Sequence, residues 1–273
     1  MKRITIVSGS RADLGLLHCP QKVLEAEFDV KLFAAWGQTF SNEFALMRAE
    51  IAARRPDLIL LLGDRFEIMA ATTAAHLERV PVAHIGGGDV TEGSYDDAMR
   101  DCISRMATIH FTTSTAATAR LVARGYSNVH LVGNPGVDYI QNEAWQRERT
   151  VEGPYVVVSY QAETIDDTVN LEAVERAIRG RNAVWISPNP DRGSERIPQG
   201  ADYSHDAFLT LLYHCEEFIG NSSSMLYEAP FLKPGGVPCT MIGKRQRGRC
   251  IPWGGGGRAS ERIRDVLRLW PSS

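Results

Sequence analysis

Short runs rich in β-branched residues and leucine alternate along the chain with longer stretches of helical periodicity. RITIVSG precedes a helix over Leu14–Ala26, FDVKLFAAW a helix over Ser41–Arg55, and DLILLLGD a helix over Phe66–Arg79. PVAHIGGG then leads into Asp96–Met106, IHFTTS into Thr115–Arg124, and VHLVGNPG closes this half. Alternation of this kind predicts a parallel sheet wrapped by helices. The runs carry few polar interruptions, as expected of strands buried on both faces. The polar stretch Gln141–Gly153 reads as an interdomain helix or linker. The pattern restarts at YVVVSY, with helices over Asp167–Ile178, Asp206–Tyr213 and through Met225–Phe231 between the runs NAVWISPN, EEFIGNSSS and GVPCTMIG.

The expected fold is therefore α/β, with a Rossmann-like domain over 1–145 and a second over 150–255. Residues 256–273 add a loop and a helix packing back near the hinge. That last stretch has Ile263, Val266, Leu267 and Trp270 at helical spacing and can cap either domain. Gly254–Gly257 reads as a mobile loop. The chain has 273 residues, a length that suits two ordinary α/β domains.

Charge removes several classes of partner. Lys and Arg number 30 against 33 Asp and Glu, which leaves no basic footprint for nucleic acid or an anionic membrane. No stretch approaches the length of apolar residues a membrane span needs, and MKRITIVSGS is too soon interrupted to be a signal peptide. A cytoplasmic location and a small-molecule partner are expected. Cys19, Cys102, Cys215, Cys239 and Cys250 are scattered singly, so they read as reduced structural thiols.

Open parallel sheets bind ligands beyond the carboxyl ends of their strands, so polar residues just after the apolar runs carry the candidate chemistry. In SGSRAD, Gly9 permits a tight turn, Ser10 can cap a helix and Arg11 can project toward a ligand. LLLGDRFE places Asp64, Arg65 and Glu67 after a strongly apolar strand. A helix-capping Asp64 with Arg65 in an ion pair explains that motif about as well as a functional role. HIGGGDVTEGSYDD joins three glycines to Asp89, Glu92, Asp96 and Asp97, a set suited to Mg²⁺ or to acid/base work, and the glycines favour the second. His84 beside it reads as a satisfied core histidine that can orient the glycine turn. IGNSSSMLYEAP sets Ser222, Ser223 and Ser224 at a helix start, which is phosphate-site physics, with Glu228 in range of ribose hydroxyls. An unliganded serine cap remains the plain alternative. IGKRQRGR puts four cations within Lys244–Arg249, either a solvated basic loop or a phosphate clamp.

Taken in order, SGSRAD, GDRFE, GGGDVTEGSYDD, GNPGVD, GNSSSMLYEAP and KRQRGR resemble the hydrolysing UDP-N-acetylglucosamine 2-epimerases of sialic and legionaminic acid synthesis. The resemblance runs nearly end to end. It implies a GT-B fold with a cleft between two Rossmann-like domains, the sugar on the first and the nucleotide on the second. Ser222, Ser223 and Arg245 would hold the diphosphate with Arg11 reaching across, Glu228 the ribose, and Gln161 the substrate. The implied reaction eliminates UDP to a 2-acetamidoglycal and adds water to release N-acetylmannosamine, with no cofactor and no metal. Asp64, Asp96 and Asp89 would serve proton transfer, accompanied by Arg65. A homo-oligomer, dimer or tetramer, is the expected assembly.

The chain also departs from that pattern. Gly86 stands where relatives carry an acidic residue or histidine, and YQAET has Gln161 and Ala162 in place of the family's His and Pro. Asp101 replaces part of an Arg-His pair, and the stretch from Arg11 to Asp64 is short. Neither Gly86 nor Gln161 can exchange a proton. Transfer of the sugar to an acceptor, and nucleotide-sugar binding without turnover, are therefore the alternatives.

Overall fold

The computed structural model describes residues 1–10, 13–35, 39–145, 147–166, 168–189 and 191–271. The chain divides into two compact units, one of residues 1–89, 96–141 and 252–273, the other of 90–95 and 142–251. The contiguous ranges 1–145 and 150–255 are corrected on two counts. Residues 90–95 join the second unit, where the Glu92 N–H donates to the Arg247 carbonyl at 3.2 Å. Gly93 lies against the Arg245 backbone so closely that a Cβ would stand 2.6 Å from Arg245 N. The end of the chain, from 252 onward, belongs to the first unit.

The first unit is a six-stranded parallel sheet in the order β2-β1-β3-β4-β5-β6. Its strands are β1 (Arg3–Ser8), β2 (Asp29–Ala34), β3 (Leu58–Leu62), β4 (Val82–Ile85), β5 (Ile109–Thr112) and β6 (Val129–Leu131). Between them run α1 (Asp13–Glu25), α2 (Phe40–Arg54), α3 (Phe66–Leu77), α4 (Asp96–Met106) and α5 (Thr115–Ala123), followed by α6 (Pro135–Asn142). Side chains alternate across a strand, so β3 feeds two cores. Leu58, Leu60 and Leu62 join Ile4 and Ile6 on one face, and Ile59 and Leu61 join Val7 on the other. The first face is covered by Leu17 and Leu24 of α1, and the second by Met47 of α2 and Ile68, Ala71 and Ala74 of α3. Each of the Leu, Ile, Val and Met side chains contributes about 1.5–3 kcal/mol on burial.

The last helix, α10 (Ala259–Leu269), places Ile263 and Leu267 in the α1 face of this core. Both its ends are tied within the unit. Asp138 of α6 accepts from the Ala259 N–H at 3.0 Å and the Ser260 N–H at 2.6 Å, and Lys2 Nζ donates to the Leu267 carbonyl at 2.8 Å. The Asp of GNPGVD is thus a helix cap. The Gly254–Gly257 run, expected as a mobile loop, is packed: Trp253 donates to the Thr113 carbonyl at 2.7 Å, and Gly255 and Gly257 are buried.

The second unit is a four-stranded parallel sheet in the order β10-β9-β7-β8. It comprises β7 (Val156–Ser159), α7 (Leu171–Ile178), β8 (Ala183–Trp185), α8 (His205–His214), β9 (Glu217–Gly220), α9 (Ser224–Tyr227) and β10 (Cys239–Met241). α7 begins later than the expected 167. A bridge between Glu163 and Thr168 and a turn closed by Thr168 N–H on Asp166 Oδ1 at 3.0 Å occupy that stretch, and Asn170 then caps the helix. Burial on both faces holds for the central strands, but β2, β6, β8 and β10 are partly exposed, because each lies at a sheet edge. No described helix is long and apolar enough to cross a membrane.

Candidate functional site

In the first unit the polar groups gather where β1, β3 and β4 end. β3 stops at Leu62, and Gly63 turns the chain with φ +86°. The carbonyl of Gly63 accepts from His84 Nε2 at 2.8 Å, and His84 Nδ1 meets Ser104 Oγ at 3.3 Å. Burial pushes this imidazole down to about 4, so it is neutral at physiological pH and holds the turn before Asp64 in place. The capping reading of Asp64 is corrected, since Arg65 is the N-cap of α3 by backbone geometry. The Asp64 carboxylate instead forms an ion pair with Arg100.

Arg100 was not singled out in the sequence, although DDAMR places it three residues after Asp97 on α4. Its side chain is 1% exposed, and it binds the Asp64 carboxylate, the Asp97 carboxylate and, at 2.9 Å, the Asp89 carbonyl. Burial lowers such a guanidinium, but the Asp64 charge and hydrogen bond, then Asp97 and Asp89, carry it above its ordinary value. Asp96 opens α4 beside this cluster, half-buried. Arg65 pairs instead with the buried Glu67 at 3.2 Å.

The last residue of SGSRAD was also passed over. Asp13 Oδ2 accepts the Gly9 N–H at 3.0 Å, and burial pushes its carboxyl up to about 7. Gly86 has φ +93°, a conformation side chains rarely adopt, and a Cβ there would meet only Gly63 N within 4.0 Å. The backbone itself therefore favours glycine at this position. Arg11 lies outside the described residues.

The second unit builds its polar cluster on Asn221, which is fully buried. Its side-chain amide brackets residue 161: Oδ1 accepts the Gln161 N–H at 2.7 Å, and Nδ2 donates to the Gln161 carbonyl at 2.8 Å. Gln246 Nε2 donates to the Asn221 carbonyl at 3.0 Å. Gln161 Oε1 accepts the Asn189 N–H at 2.7 Å, so this side chain anchors the loop after β8. Ser222 and Ser224 are half-buried and Ser223 exposed, at the start of a helix only one turn long. What α9 offers is local, its N–H groups and three hydroxyls. Glu228 is 6% exposed at the end of this turn, and burial pushes its carboxyl up to about 7, offset in part by Ser224.

Of the four cations in KRQRGR, Arg245 alone is buried. It donates to the Ala162 carbonyl at 2.5 Å and pairs with Asp191 Oδ2 at 3.1 Å. Lys244 donates its N–H to the buried Glu163 at 2.5 Å, while Arg247 is exposed and its 3.9 Å pair with Glu92 contributes little. Asp191 and Glu163 gave no signal in the sequence, since nothing local marks a carboxylate whose partner, the Arg245 guanidinium for one and the Lys244 N–H for the other, lies more than fifty residues away.

The profile of the UDP-N-acetylglucosamine 2-epimerase family matches residues 27–251. The chain belongs to this family. A UDP-N-acetylglucosamine 2-epimerase of Neisseria meningitidis is 27% identical, over 91% of this chain and 81% of its own length. A hydrolysing UDP-N,N'-diacetylbacillosamine 2-epimerase of Legionella pneumophila is 25% identical, over 84% of this chain and 78% of its own. Among solved structures, the S. aureus MnaA–UDP co-structure superposes over 100% of both chains with a TM-score of 0.79 at 16% identity. That likeness establishes for this epimerase-family chain a GT-B-like fold of two Rossmann-like units.

Proposed function

We propose that the protein is a hydrolysing 2-epimerase acting on UDP-N-acetylglucosamine. It would release UDP and N-acetylmannosamine through elimination to a 2-acetamidoglycal and addition of water. The observation that carries this reading is the gathering of Asp64, Asp97 and the Asp89 carbonyl around buried Arg100 at strand ends, in a chain of an epimerase family. A carboxylate fixed by such a pair is oriented to remove the weakly acidic C2 proton. In this proposal Asp64 and Asp96 carry proton transfer, with Asp89 and Arg65 beside them. The first unit serves the sugar, and the second serves the nucleotide. Ser222, Ser223, Arg245 and Arg11 take the diphosphate, Glu228 the ribose, and Gln161 lines the substrate. A cytoplasmic place in sialic or legionaminic acid synthesis, and a homo-oligomeric assembly, belong to the same reading.

Incubating the pure protein with UDP-N-acetylglucosamine while following UDP and free sugar by NMR tests it. Hydrolysis with inversion at C2 is expected, whereas acceptor-dependent release would indicate glycosyl transfer. A second reading, nucleotide-sugar binding without turnover, is favoured by Gly86, which carries no proton-transferring side chain at a backbone angle that disfavours one, and by Gln161, which is engaged with Asn189. UDP binding without any release of sugar would establish that second reading.

A further inference from the structure

The first unit changes winding direction between β1 and β3. The chain steps outward from β1 to β2, then returns past β1 to β3 and continues through β4, β5 and β6. Ligands of open α/β sheets bind beyond the strand ends at such a switch point. Two carboxyls stand there, Asp64 after β3 and Asp13 after β1, and the strands are direct neighbours with Val7 opposite Leu61. Adjacent strands lie about 4.8 Å apart. The Asp13 carboxyl is pinned to the Gly9 N–H just past the end of β1, and Asp64 is near enough to act on it electrostatically, which brings both carboxyls within reach of one sugar ring.

Their surroundings differ in kind. Asp64 is salt-bridged to a guanidinium that is itself buried. Asp13 is held by the Gly9 N–H, and burial drives its carboxyl toward neutrality more strongly than Ser10 and Arg65 oppose it. Arg65 and Asp64 are the charged groups that face it among the described residues. A carboxylate held by a buried cation and a carboxyl that burial favours in its neutral form can serve as a base and acid pair.

Inversion at C2 through a glycal requires such a pair, because the proton leaves one face of the ring and returns to the other. We infer that Asp13, in place of Asp96, is the acid that returns the proton to C2 opposite Asp64, an assignment that rests on the hydrolysing-epimerase reading. In the first half-reaction the Asp64 carboxylate takes the C2 proton, the C1=C2 bond forms, and the C1–O bond breaks with its electron pair leaving on the diphosphate. In the second, the Asp13 carboxyl gives its proton to C2 and a water oxygen bonds to C1. The proton shed by that water reprotonates Asp13, and Asp64 gives its own to solvent. Asp96 starts α4, beyond β4 and one strand further from the switch point, which favours Asp13 for this step. With Asp13 in this role, glycine at position 86 does not remove the acid that the reaction needs.

The test compares wild type, Asp13→Asn and Asp96→Asn of the full chain on UDP-N-acetylglucosamine in deuterated water. Asp13→Asn keeps an acceptor for the Gly9 N–H, and melting temperature and UDP affinity report on its folding. UDP release within about tenfold of wild type, accumulation of free 2-acetamidoglycal, and a fall of roughly 10²–10⁴-fold in deuterated N-acetylmannosamine are expected. Should Asp13→Asn not fold, Asp13→Glu must slow sugar formation more than UDP release. Unchanged sugar formation, equal loss of both products, or glycal accumulation in Asp96→Asn instead would overturn the inference while leaving the epimerase reading in place. No UDP release by the wild type would overturn both.

Discussion

Stripping the charge partners from Arg100 tests the reasoning about the first unit most directly. Its guanidinium, 1% exposed, is shared between Asp64 and Asp97, whose side chains are 17% and 36% exposed. Asp64→Asn or Asp97→Asn alone leaves one carboxylate and the Asp89 carbonyl in place. Each should cost about 1–2 kcal/mol, the lower part of the range for a charged hydrogen bond because both acids are partly hydrated. The double variant leaves a buried cation with no carboxylate, a loss of about 3–5 kcal/mol. At 2–4 °C per kcal/mol for a chain near this size, Tm should fall by roughly 6–20 °C in the double variant. Chemical denaturation read by tryptophan fluorescence, with scanning calorimetry beside it, supplies the four corners of the cycle. A coupling of at least about 1 kcal/mol beyond the sum of the singles is expected, since the two acids share one partner. Additive losses within about 0.3 kcal/mol would refute the shared-cation picture.

Three further outcomes follow from other parts of the molecule. Arg245→Ala should weaken UDP binding by about 1–3 kcal/mol, and unchanged calorimetric affinity would remove Arg245 from the diphosphate assignment. Glu228 is raised from 4.5 to about 7 in the folded state, so its contribution to stability is intact below pH 4.5 and is lost as pH climbs through about 7. Glu228→Gln should thus match wild type at pH 4.5 and exceed it by on the order of 3 kcal/mol at pH 8, and parallel pH profiles in denaturant melts would contradict this. Asp138→Ala should cost about 1–3 kcal/mol by leaving the buried Ala259 and Ser260 N–H groups unpaired, with UDP release per folded molecule unchanged. A selective loss of turnover there would instead make GNPGVD part of the chemistry.

What the amino-acid order determines by itself is the alternation of elements and their type. A buried parallel strand must be apolar on both faces, so LILLL and YVVVS announce themselves, and an amphipathic helix must repeat its apolar positions near every third or fourth residue. The turns after those strands were equally legible, because Gly63, Gly86 and Gly220 meet backbone angles that other residues resist. Which charges those turns bring together was decided only in three dimensions. Asp64 reads alone as a helix cap, and only the packing of α4 against α3 and β4 delivers Arg100 to it. Asp13 reads as the end of a turn, and burial rather than sequence makes its carboxyl differ from Asp64's. Asp138 and Gln161 make the same point: GNPGVD gave its Asp no role, and the fold engages it with the first turn of α10, while the Gln161 side chain is engaged with the loop at Asn189. Propensity and hydrophobic period act over a few residues and can be read locally. Ion pairs, desolvation and caps depend on partners tens of residues away, and only the tertiary structure chooses them.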